Sequence, residues 1–192
     1  AQDTTIANSI TTGASWDGTT SPGSNFTITP TGVISTSDPY GVTVVGTAGA
    51  VLGTFLNGGL VVGSSLTGSA INVGTVTINQ FTNATGATIS ATSRGVLVGS
   101  TGTSGALTNS GRIAGDQAVQ NDGSIGSINN SGTLFGSDRG IYQTSTGQIG
   151  TIVNDGVIAA GTTGPNAAGG IANGGLILSI VNNGTILSSH SS

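Results

Sequence analysis

The chain has 192 residues, of which 35 are Gly and only 5% are charged, and it contains no Cys, Met, Lys or Glu. The strong helix formers Lys, Glu and Met are therefore missing, and helix is expected to be nearly absent. Seven Asp against three Arg cannot neutralise a run of phosphates, which argues against nucleic acid as a partner, and no apolar stretch approaches the roughly 20 residues that cross a bilayer as a helix.

Low charge alone does not mean disorder here, because 35% of the residues are hydrophobic and they recur at regular intervals. Residues 1–25, with Trp16 and Pro22, are expected to lie outside the repeat as an N-terminal cap or lead-in. From 26 to 192 the chain reads as one domain of repeats, its C-terminal end truncated from a longer protein. Its start at Ala1 fits removal of a signal peptide or trimming.

One phrase recurs along the repeat region: an apolar residue, two or three small polar residues, a glycine, then another apolar pair. The copies run Ile28 to Ile34, Phe55 to Val61, Phe81 to Gly86, Leu107 to Ile113, Ile128 to Leu134, Ile152 to Ile158 and Ile180 to Ile186. Their glycines step by 27, 27, 25, 21, 24 and 28 residues. Such periods, filled with short β-type runs, mark a solenoid whose units cannot bury an apolar face alone.

Four registers line up on this ruler. Leu52, Ile78, Ser104, Ile125, Ile149 and Ile177 come before the phrase. Ile28, Phe55, Phe81, Leu107, Ile128, Ile152 and Ile180 open it. Ile34, Val61, Ile89, Ile113, Leu134, Ile158 and Ile186 follow the glycine, the third copy needing one extra residue that we expect as a bulge near Ala84. Val42, Ile71, Val96, Ala118, Ile141 and Ile171 form the last register. Short strands returning to one register stack at about 4.8 Å per coil. The expected fold class is all-β, a parallel β-helix of about seven coils.

Asn57, Asn109, Asn130, Asn154 and Asn182, with Asn83 in the longer copy, fall two residues or so before the phrase glycine. They are expected to form a structural ladder at the corner, with the glycine supplying a positive φ. Glycan binding along that ladder is the alternative. Two residues ahead of the last register stand Tyr40, Ser69, Arg94, Asp116, Arg139 and Gly169. Arg94, Asp116 and Arg139, with Asp138 beside the third, would form a charged face of alternating sign. A second possible contact surface is the long excursion from Ala159 to Gly170, which contains Pro165 and Asn166.

No catalytic, cofactor or metal site is expected. The one His, His190, lies in the Ser-rich tail and there is no Cys, so a Ser-His-Asp or Cys-His set lacks a positioned base. Asp122-Gly123 and Asp155-Gly156 read as turns. Outward Thr and Ser, as in Thr75-Val76-Thr77-Ile78, could meet ice, a sister molecule or a glycan, but the spacing is not kept in later coils.

The repeated Asn-x-Gly-x-Ile phrase, with a preceding Ile or Leu and Gly/Ser/Thr-rich connections, resembles the passenger region of bacterial autotransporters of the type V secretion route, over roughly residues 26 to 187. The resemblance implies a right-handed β-helix, carried across the outer membrane by a C-terminal β-barrel and ending at the cell surface or secreted. It also implies a non-enzymatic stalk, adhesin or self-association module in adhesion, aggregation or biofilm formation. The implied partners are another copy of the chain, surface glycans or host surfaces, with membrane contact only through the missing barrel. Barrel strands and an inserted enzyme domain are absent from this sequence. A β-helical carbohydrate-active enzyme or glycan-binding module is the alternative.

Overall fold

The computed structural model describes residues 2–161 and 169–189, and every regular element within them is a β-strand. The first turn holds β1 (Thr4–Ile6), β2 (Ser9–Ile10) and β3 (Ala14–Asp17), and the second β4 (Phe26–Ile28), β5 (Val33–Thr36) and β6 (Tyr40–Val45). The third holds β7 (Val51–Asn57), β8 (Leu60–Gly63) and β9 (Ser69–Val73), and the fourth β10 (Thr77–Asn83), β11 (Thr88–Ala91) and β12 (Arg94–Val98). The fifth consists of β13 (Thr103–Asn109) and the long β14 (Arg112–Asn121), and the sixth of β15 (Ser124–Asn130) and β16 (Thr133–Gln143). After them come β17 (Gln148–Asn154), β18 (Val157–Ala160) and β19 (Gly169–Asn173), then β20 (Leu176–Asn182) and β21 (Thr185–Ser188).

Each strand pairs in parallel with its counterpart one turn away, making a parallel β-solenoid of about seven turns. Three faces result. Face 1 is the eight-stranded sheet β1-β4-β7-β10-β13-β15-β17-β20. Face 2 starts with β2 and β5, face 3 with β3 and β6, and the two merge into one sheet because β14 and β16 each run through the corner between them.

Inward side chains stack in files. Phe26, Phe55 and Phe81 lie over one another with ring centroids 5.5 and 4.7 Å apart, and Leu107, Ile128, Ile152 and Ile180 continue the file. On face 2 the file is Ile10, Ile34, Val61, Ile89, Ile113, Leu134, Ile158 and Ile186. These files meet in a narrow core in which most members are wholly buried.

The register corrects several expectations. Ile28 does not belong with Phe55: Phe26 holds that place and Ile28 sits in the file of Asn57. The reason is corner length, since Ile28 to Val33 carries two residues more than its paired corner, Asn57 to Leu60. The Asn83 to Thr88 corner is equally long, so the third copy has two extra residues in a turn, with Gly86 at φ 79°, instead of one bulged residue at Ala84. Val119, not Ala118, continues the file of Val96 and Ile141. Ala118 falls beside Gly95, where a Cβ on that glycine would lie 2.7 Å from Ile113 Cγ2; only the smallest residues fit opposite the face 2 file.

Of the phrase glycines Gly86 has the expected positive φ, and others are needed for a different reason. Gly111, Gly132, Gly156 and Gly184 do not have positive φ; among the described residues only Gly23, Gly49, Gly86 and Gly169 do. A Cβ on any of the four would instead run into the backbone carbonyl of the preceding turn, that of Ala87, Gly111, Gly132 or Gly156. Trp16 is not outside the repeat. It lies in β3, paired opposite Val44, is 1% exposed, and donates from Nε1 to Ser24 Oγ at 2.7 Å, so the lead-in forms the first turn.

Identical chemistry at two heights of one file gives a test of the stacking. Ile152 is wholly buried between Ile128 and Ile180, whereas Ile180 is 48% exposed. Ile152→Ala should lower unfolding free energy by about 2–5 kcal/mol, and Ile180→Ala by clearly less. Urea denaturation of the two variants decides this, and equal losses would contradict it.

Candidate functional site

The asparagine file is a continuous chain of buried amides. Nδ2 of Asn57, Asn83 and Asn109 each donates to Oδ1 of the next asparagine at 2.8 Å, and Asn130 to Asn154 and Asn154 to Asn182 at 2.7 Å. The same nitrogens also reach backbone carbonyls of the next turn, as Asn109 does to Thr133 O at 3.1 Å. Asn57, Asn83, Asn109 and Asn154 are fully buried and Asn130 is 2% exposed, so a ligand cannot reach them from outside. Only Asn182, on the last face 1 strand, is exposed.

A second amide file stands at the corner between faces 3 and 1. Val73 and Val98 give way there to Asn121, Gln143 and Asn173. Asn121 Nδ2 donates to Gln143 Oε1 at 2.8 Å, and Gln143 Nε2 donates to Leu176 O at 2.6 Å. The signal was in the sequence: Asn121-Asp122-Gly123-Ser124-Ile125 and Asn173-Gly174-Gly175-Leu176-Ile177 repeat the corner phrase.

The expected alternating charge ladder is not formed. Arg94 pairs in register with Gln117 and Gln117 with Arg139, while Asp116 is displaced by the register shift between Gly115 and Gln117. Asp116 instead accepts from Ser137 Oγ at 2.6 Å. Asp138 Oδ2 holds Arg139 at 2.6 Å and Gln117 Nε2 at 3.3 Å, but its Oδ1 is buried with no partner. The Arg139 guanidinium also lies 4.4 Å from the Tyr142 ring centroid. Arg94 donates from Nε to Gln120 Oε1 at 2.6 Å, and Gln120 Nε2 donates to Asp122 at 2.9 Å. The structure thus brings Asp138 and Arg139 together and leaves Arg94 and Asp116 in separate contacts. Pro165 and Asn166 lie outside the described residues, as does His190.

Of face 1 the sequence shows only outward Thr and Ser, such as Thr77 in β10, and not a continuous wall. None of the seven Asp and three Arg falls in any of its eight strands. Its outward positions are filled by residues such as Thr103, Ala106, Thr108, Ser124, Ser127, Gln148 and Thr151. The charges sit on the other two faces and at corners. The signal was the charge-free composition of each run leading into the corner phrase, which is visible only once those runs are known to share a wall.

No known protein family matches the chain, and no curated protein or solved structure is significantly similar to it.

The ladder predicts a position-dependent cost. Asn130→Leu would leave the buried Asn154 Oδ1 without its donor and take one acceptor from Asn109 Nδ2, whereas Asn182→Leu, on the exposed last face 1 strand, takes from Asn154 Nδ2 one acceptor and leaves it Thr185 O at 3.1 Å. At about 1–3 kcal/mol per orphaned buried group, Asn130→Leu should be the more damaging in thermal unfolding, and the reverse order would contradict the ladder's energetic role.

Proposed function

We propose that this chain is a non-enzymatic rod displayed outside the cell, of the autotransporter passenger kind, and that it works as a stalk or adhesive module by associating side by side with another copy. The observation that carries this reading is the uncharged face 1. Eight strands at about 4.8 Å spacing, each up to seven residues long at about 3.3 Å per residue, present a wall of about 34 by 23 Å. That is about 800 Å² per partner, the size of a standard stable interface. Two copies each carrying a net charge of −4 repel one another least when they meet through the wall that bears none of it.

The non-enzymatic part of the reading is supported by how the charged groups are used. Asp138 is bound to Arg139, Asp122 to Gln120 and Asp116 to Ser137. A β-helical lyase would need such groups turned toward a substrate. Here Asp116 and Asp138 join neighbouring turns through Ser137 and Gln117, and the Arg139 and Gln120 contacts are local.

Sedimentation velocity tests the association. The chain should form dimers that increase with concentration and persist at high salt, because the interface lacks charge. Ala106→Arg with Thr151→Arg, in the middle of face 1, should make it monomeric, and Asp116→Arg should leave association unchanged. A strict monomer at high concentration, or dissociation by salt, would remove this reading.

A further inference from the structure

At the corner between faces 3 and 1 the connections differ in length from turn to turn. Val98 to Thr103 and Gln143 to Gln148 span five residues each, while Asn121 to Ser124 between them spans three. Two longer loops therefore stand out on either side of a short one, about 9.6 Å apart over two turns. The result is a notch of about 240 Å³ whose lining includes Gly102, Gly123, Ser124, Thr101, Thr146 and Gln148.

We propose that this notch is a binding site for one unit of a neutral saccharide. Its full lining offers five hydroxyls, those of Ser100, Thr101, Thr103, Ser124 and Thr146, and the Gln148 amide, with no charged or large apolar side chain. A ligand there must be recognised by neutral hydrogen bonding, which is the chemistry of a polyol. The walls are fixed: Thr101 Oγ1 lies 3.0 Å from Thr75 Oγ1, and Thr146 Oγ1 donates to Asp122 O at 2.9 Å. By contrast, the side chains of Ser100, Thr103, Ser124 and Gln148 have no hydrogen-bond partner among the described residues and remain available. At about 30 Å³ per water, the notch holds roughly eight water volumes, the scale of a sugar ring and not of a single ion. The nearest carboxylate in sequence, Asp122, already accepts from Gln120 Nε2, and no Arg lines the site, so an anionic sugar gains nothing there.

This inference goes beyond lateral association and is tested apart from it, in the Ala106→Arg/Thr151→Arg background designed to be monomeric. The ¹⁵N-labelled chain is titrated with cellotriose, maltotriose, trigalacturonate and glycerol, and amide shifts are followed by NMR. At least one neutral trisaccharide should give saturable shifts confined to residues 100–103, 123–124 and 146–148. Thr146→Arg, which fills the notch from one wall, should abolish them while the rest of the spectrum stays in place. Thr101→Arg serves from the opposite wall if the first variant does not fold. No saturable shift with either neutral trisaccharide, the same shifts with glycerol, shifts with trigalacturonate alone, or binding that survives the filled notch would each overturn the proposal. Sedimentation of the unsubstituted chain reports on association separately, so either idea can fail alone.

Discussion

Everything in this rod follows from backbone hydrogen bonds that run along its axis. A donor such as Thr103 N reaches Val76 O one turn away, and Ser124 N reaches Gly102 O. Equivalent residues of successive turns are thereby held about 4.8 Å apart. Whatever occupies a position must tolerate its counterpart above and below. Flat phenyl rings meet this condition by stacking, and β-branched side chains by nesting. Like charges do not, and the charged positions reflect it: Gln117 separates Arg94 from Arg139, and Asn183 donates to Asp155 at 2.8 Å.

The same constraint makes a buried amide tolerable. An isolated Asn in an apolar core would leave donors and acceptors unpaired. In a vertical file each amide finds its partner in the next turn, and all the donations run the same way. The file can therefore begin only where something else satisfies the first acceptor. Above Asn57 the position holds Ile28, and Asn57 Oδ1 accepts from Gly59 N at 3.2 Å. The transition from aliphatic to amide thus coincides with a backbone donor from the corner itself. The corner glycine and the asparagine are one device: the absent Cβ lets two turns approach, and the amide joins them.

Much of this was legible in the sequence because the phrase spacing encodes the stacking. The files of Leu52, Ile78 and Ile125, and of Val61, Ile89 and Ile113, are readable from the glycine ruler. The failures share one cause. Register was inferred from a single glycine per turn, so any corner of different length shifted the assignment. The two extra residues before Val33 moved Ile28, and the irregularity at Gly115 to Gln117 in β14 moved Ala118 and Asp116 by one place. A one-residue slip turns a strand position from inside to outside, which is why the imagined charge ladder dissolved while the core largely did not. Hydrophobic files contain many mutually consistent positions, whereas a candidate charge cluster rests on two or three.

The division between rigid files and variable corners also says where binding specificity can reside in such a rod. The inward positions cannot change without disturbing every turn they touch, and the strand faces repeat too evenly to recognise one ligand. Corner lengths are free, and a short connection between two longer ones makes a concavity with no change to the core. In the proposed reading the notch and the wall share an edge, because Thr103, Ser124 and Gln148 line the notch and also begin the face 1 strands β13, β15 and β17. A saccharide lying along that edge and a second rod laid against face 1 would then contend for the same hydroxyls. Such competition couples ligand capture to rod association without any moving part, since both occupants draw on one set of side chains fixed by the backbone ladder.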